Sequence, residues 1–166
     1  STHLTAIPEL LQLLDLQGAL VSIDAMACQT KIAKTIIEQK GDYLLAVKGN
    51  QGNLSKAVQQ AFSALRNDAS SLEALQTEKQ HGRIESRLCQ VLDASTLEGN
   101  FSRWKGLKTL AMITSFRTEK GKPVSMEYRY YISSRIMSAE QVASAVREHW
   151  AIESMHWVLD VSMQED

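Results

Sequence analysis

A chain of 166 residues with 44% hydrophobic residues is long enough to bury a real core and too apolar to be disordered. No stretch approaches the roughly 20 apolar residues that cross a bilayer, and no basic start with an apolar core suggests export, so a cytoplasmic protein without a membrane partner is expected. The net charge of −1 gives no support by itself to a nucleic-acid partner, and Cys28 and Cys89 have neither metal nor redox spacing.

The opening stretch, STHLTAIPELLQLLDLQGA, reads as a helix. Thr5 and Pro8 stand near its start, Leu10, Leu11, Leu13 and Leu14 form an apolar face, and Gly18 ends it. ALVSIDA is too short for a helix and reads as a buried strand. A second helix follows in CQTKIAKTIIEQKG, with Ile32, Ile36 and Ile37 at helical spacing and Gly41 as its stop. DYLLAVKG is a second buried strand, and NLSKAVQQAFSALRN a third helix. Strand, helix, strand at this spacing predicts two parallel, neighbouring strands.

The pattern then changes. SLEALQTEKQHGRIESRLCQVLDAST alternates in its later part, and LKTLAMITSFRTEKGKPVSMEYRYYISS reads as two strands joined at Lys120-Gly121-Lys122-Pro123. An antiparallel group of about three strands is expected in the middle of the chain. Alternation places Arg83, Glu85 and Arg87 on one strand face, as a polyanion-facing ladder or as a structural ion-pair ladder. Arg103, Lys105 and Lys108 around Trp104 suit either a nucleic-acid surface or a Trp closing the core beneath long basic side chains. The last segment, SAEQVASAVREHWAIESMHWVLDVSMQED, reads as one long helix. Ser138 caps it, Gln141 completes an S-x-x-Q box, and Val142, Val146, Trp150, Trp157 and Val161 share one arc.

Charge is unevenly spread. Residues 1–47 hold three Lys/Arg and five Asp/Glu (−2), residues 48–135 fourteen and eight (+6), and residues 136–166 one and six (−5). That order suits a carboxylate site beside a polyanion-binding surface, and it also suits accidental clustering of solvated charges.

Two carboxylates stand in awkward places. Asp24 ends a buried strand. Glu153 falls on the apolar arc of the last helix, with His149, His156 and Asp160 along the same side. Ligands of parallel α/β folds gather at the carboxyl ends of strands, and Mg²⁺ takes one or two carboxylates plus phosphate oxygens. A metal site for phosphoryl transfer is one reading. A turn-capping Asp24, with Glu153 paired to a buried Arg or Lys, is the other. Lys48, Asn50 and Gln51 follow the second strand, where they could contact phosphates or form a helix-start turn.

VSIDAMACQ, LLAVKGNQ, HGRIESR, YYISS and REHWAIESMHWVLDVSMQED, in this order, resemble the H-repeat-associated, Rhs-linked insertion-sequence DDE transposases across essentially the whole chain. The resemblance implies an RNase H-like core in residues 1–66 and 137–166, with a β-rich insertion over 67–136. It assigns Asp24 as the second catalytic Asp and Glu153 as the Glu, both metal ligands. It implies two Mg²⁺ or Mn²⁺ ions in the complete enzyme, cleavage at transposon ends and strand transfer to target duplex DNA. A homo-oligomeric active complex in a bacterial, nucleoid-associated setting is also implied. The first catalytic Asp belongs upstream, and Asp15 lies in the wrong context for it. A core truncated at its N-terminus, nearly inactive alone and binding metal poorly, is therefore expected. The Arg and Lys usual around the Glu in many insertion-sequence transposases are replaced by His149 and Asp160, so these two and His156 are taken only as supporting groups around the site. Lys48, Asn50, Gln51, Arg83 and Arg87 are the DNA-contact candidates. Two other readings are an inactive mobile-element remnant that only binds DNA or a partner, and an unrelated α/β hydrolase of small phosphate esters.

Overall fold

The buried run Leu20–Ile23 forms β1, and Asp42–Val47 forms β2. They pair in parallel, Leu20 opposite Asp42 and Ile23 opposite Leu45, with the helix α2 (Gln29–Glu38) as crossover. The βαβ expectation is met. In the computed structural model, residues 2–24, 29–49, 52–65, 72–80, 82–150 and 159–162 are described. Helix α1 (Thr2–Gln12) precedes β1 and α3 (Gly52–Ala64) follows β2. The strands β3 (Leu72–Gln80), β4 (Arg83–Asp93), β5 (Thr109–Glu119) and β6 (Ser125–Ser133) come next. Helix α4 (Ala139–Trp150) and β7 (Leu159–Ser162) close the order.

The seven strands among the described residues join one sheet, ordered β3-β4-β5-β6-β2-β1-β7. The antiparallel middle has four strands, and β6 continues it into the parallel pair by lying antiparallel to β2. The fourth is β3. Its sequence, LEALQTEKQ, is made of good helix formers, but nine consecutive pairs with β4 override that preference.

Alternation along the strands builds two cores. Val21, Ile23, Tyr43, Leu45, Leu92, Leu110 and Ile132 face α1, α2 and α3. Leu20, Leu44, Ala46, Cys89, Val91, Ala111, Ile113 and Tyr131 face α4. The molecule is a mixed α/β sandwich with the sheet as its middle layer. Trp104 is only 8% exposed and belongs to the first core, which favours the core-closing reading of its basic neighbourhood. Burial pushes the Cys89 thiol up to about 12, and the nearby charge of Glu140 pushes the same way. The folded chain therefore keeps the thiol protonated where the unfolded chain ionises it, and stability falls as pH rises from about 9 toward 12. In a Cys28→Ser variant at pH 8, Cys89 should resist alkylation until denaturant unfolds the protein. Rapid labelling of the native state would contradict this burial.

Several boundaries differ from expectation. Helix α1 stops at Gln12 rather than Gly18, tightening through Leu13 N–H to Leu10 O (3.1 Å) and Leu14 N–H to Leu11 O (3.2 Å). Pro8 sits inside it rather than at its start. Ile7 and Leu11 are buried, whereas Leu10, Leu13 and Leu14 are exposed, because the chain turns to bring Leu16 into the core. At the end of α2 the left-handed position is Lys40 (φ 63°), not Gly41. Lys40 N–H donates to Ile37 O and Gly41 N–H to Ile36 O, both at 3.0 Å, closing the helix. Gly41 answers a different demand: a Cβ there would stand 2.8 Å from the Leu16 carbonyl oxygen.

The largest correction concerns the last segment. Its start is as expected: Gln141 N–H donates to Ser138 Oγ (3.1 Å) and Ser138 N–H to Gln141 Oε1 (2.9 Å), a reciprocal capping box. The helix does not run to 166. Leu159–Ser162 is a strand, β7, antiparallel to β1 with Asp160 opposite Ser22. A long helix would leave the edge of β1 unpaired, and β7 supplies the missing partners. Asp160 thus leaves the helical arc on which it was placed with Glu153.

Candidate functional site

Because β1 and β2 are parallel, their carboxyl ends emerge at the same edge of the sheet. Asp24 follows β1 and Lys48 follows β2, so the two chain ends meet there. Lys48 Nζ lies 2.7 Å from Asp24 Oδ1, with side chains 33% and 40% exposed. The pair is accessible to solvent and to a ligand. Alternation from Leu20 through Ser22 carries Asp24 onto the face that α4 covers, and Ala46 carries Lys48 onto the same face.

That face continues beyond the parallel pair. Val47 is opposite Tyr130 on β6, so β6 runs on past the end of β2 toward Ser125, and β5 and β4 run with it. Arg129 is the next residue along β6, on the face of Tyr131. Cross-strand register adds Ser115 and Arg117 from β5, and Glu85 and Arg87 from β4. These residues line a pocket of about 330 Å³, together with Glu127.

The expected ladder of Arg83, Glu85 and Arg87 is present, and Glu85 is its hub. Arg83 Nη2 and Arg87 Nη2 each lie 3.3 Å from its carboxylate, and Arg117 Nη2 lies at 2.9 Å. At the outer end, a hydrogen bond from Lys122 holds the Glu119 carboxyl below its usual range. Arg117 and Arg129 were not singled out from the sequence. Only strand register places them beside Arg87, and no local motif carries that information.

Glu153, His156, Asn50 and Gln51 lie outside the described residues, as do Cys28 and His81. His149 lies in the last turn of α4 and Asp160 on β7. Among the described residues no three His, Cys, Asp or Glu side chains form a metal-binding group. Asp24 is the described carboxylate at the strand ends, and half-exposed oxygens already holding a cation fit a hard divalent ion.

A family model described as the transposase DDE domain matches residues 1–166. The chain belongs to the DDE transposase family. It is 47% identical to the H repeat-associated putative transposase YhhI of Escherichia coli (strain K12), over 100% of this chain and 46% of the relative. It is 48% identical to putative protein YbfL of the same organism, with the same coverage of 100% and 46%. It is also 42% identical to an uncharacterized protein in the dhlA 3′ region of Xanthobacter autotrophicus, over 81% of this chain and 45% of that one. No solved structure matches the chain. The chain spans about half the length of these curated relatives. No described helix is long and apolar enough to cross a membrane.

Proposed function

We propose that this chain supplies the second and last carboxylates, Asp24 and Glu153, of a metal-dependent DNA transposition site. In this reading residues 1–66 and 137–166 are RNase H-like core elements, and residues 67–136 are a β-rich insertion whose strands extend the same sheet. The reaction is phosphodiester cleavage at transposon ends followed by joining to target duplex DNA. The observation that carries the reading is the accessible Asp24 carboxylate at the carboxyl ends of the parallel strands, holding a cation at 2.7 Å. Asp24 and Glu153 would hold Mg²⁺ or Mn²⁺, which when bound activates a hydroxyl and stabilises a leaving oxygen. No residue of this chain is assigned as the first carboxylate of the triad.

The chain's own contribution is placement. The parallel strand ends fix Asp24 on a rigid sheet, and α4, which covers the same face, ends three residues before Glu153 in the sequence. Lys48, Arg129, Arg87, Arg117 and Arg83, with Glu85 and Glu127 paired among them, form a net basic path on the α4 face, running away from Asp24 along the protruding strands. Such a path positions a phosphodiester backbone without reading its sequence. Asn50 and Gln51 complete the DNA contacts that follow β2, and His149 and His156 support the metal ligands. The active form is a homo-oligomer on DNA in the bacterial cytoplasm, associated with the nucleoid.

The test is a nicking assay on end-containing duplex DNA, using a full-length family protein that carries these 166 residues. Nicking with Mg²⁺ or Mn²⁺, lost in chelator, is the expected result. Salt-sensitive DNA retention with no nicking under any divalent ion would replace this reading with that of a binding-only remnant.

A further inference from the structure

We propose that Lys48 is a built-in competitor of the divalent ion: its ammonium occupies Asp24 in the metal-free protein and must leave before a metal can bind. This rests on the reading of Asp24 as a metal ligand. Three observations lead to it. The 2.7 Å contact puts Lys48 Nζ directly on Oδ1, an atom a metal would take. Both side chains are partly exposed, so the contact can open without unpacking the core. Lys48 follows β2 by one residue, so its stem starts from a strand fixed between β1 and β6 while its side chain is partly exposed.

The consequence is electrostatic. A bare carboxylate at the site would repel an approaching phosphodiester. The resident ammonium neutralises it until a divalent ion takes over. The displaced ammonium then lies beside Arg129, at the start of the basic path.

The experiment is Mn²⁺ titration of a full-length family protein that carries these 166 residues, followed by water-proton relaxation, for the parent, Lys48→Met and Asp24→Asn. Lys48→Met should bind Mn²⁺ about two- to fivefold more tightly, the gain expected from removing a partly exposed ion pair. Asp24→Asn should remove the site. Unchanged or weaker binding in Lys48→Met, with binding still lost in Asp24→Asn, overturns the competitor role and leaves Asp24 as a ligand. Binding that survives Asp24→Asn overturns the ligand reading, and the competitor role with it. A second measurement needs no variant. The Lys48 side-chain ¹⁵Nζ resonance should lose its ion-pair signature as Mg²⁺ saturates the parent chain, and a signature that persists at saturation overturns the proposal.

Discussion

Asparagine at position 24 is expected to abolish metal-dependent nicking while leaving the protein folded. The substitution keeps the size and one oxygen of the side chain but removes the charge that a hard divalent ion requires. Groups that only support a metal ligand change activity by about 10–100-fold when removed, so loss of a ligand should exceed the upper end of that range. The fold should hardly notice. Asp24 is at a strand end, 40% exposed, and its partner Lys48 is 33% exposed. Such pairs contribute about 0.2–1 kcal/mol. The informative readout is therefore a pair of numbers from one preparation: nicking rate and melting temperature. Full activity in Asp24→Asn would remove this residue from the chemistry. A collapsed melting temperature would recast it as structural.

The opposite end of the same strands should respond in the opposite way. Asp42 begins β2, and its carboxylate is held by two donors. Ser134 Oγ donates to Oδ1 at 2.8 Å, and Arg135 Nε donates to Oδ2 at 3.1 Å. Ser134 Oγ also accepts from Tyr43 N–H (2.8 Å), and Arg135 Nη2 donates to Gly18 O (3.3 Å). This knot ties the entry of β1, the entry of β2 and the exit of β6 together. Asp42→Ala should cost about 2–3 kcal/mol, because the Arg135 side chain, only 15% exposed, loses its charged partner. For a chain of this size that lowers the melting temperature by roughly 5–10 °C. Adding Arg135→Met to Asp42→Ala should recover part of the loss, since the guanidinium that has lost the Asp42 carboxylate is then gone. Strictly additive losses would mean the two side chains act independently. DNA nicking should survive at temperatures where the variant is folded.

Much of the parallel half was legible in the sequence. Short apolar runs such as LVSI and DYLLAV are buried on both faces, and composition alone marks them as interior strands. The capping box at Ser138 and Gln141 was legible for a similar reason: it is local, and the residues that make it are three apart. What was illegible depends on distant partners. LEALQTEKQ has no strand signal of its own and becomes β3 only against β4. Leu159–Ser162 fits a helical arc as written, yet it is drawn into the sheet by the free edge of β1. The candidate site divides the same way. Asp24 showed itself as a lone carboxylate after an apolar run, whereas its contact with Lys48 requires two strands in register. The Glu85 hub was half visible, since Arg83 and Arg87 alternate with it on β4, but Arg117 comes from β5.

The pairing of β7 with β1 also bears on how the chain reaches its native state. The contacts β3–β4 and β5–β6 are hairpins between neighbours in sequence, and β1–β2 is a single βαβ step. All of these can close early at small entropic cost. By contrast, Leu20 pairs with Ser162 near the far end of the chain, and β2 meets β6 across the whole middle segment. Loop-closure entropy makes such non-local pairings the late ones. During synthesis, β1 therefore gains its second neighbour only once Leu159–Ser162 has been made. The strand that leads to Asp24 is the one flanked late, so the surroundings of that carboxylate are set by a non-local pairing.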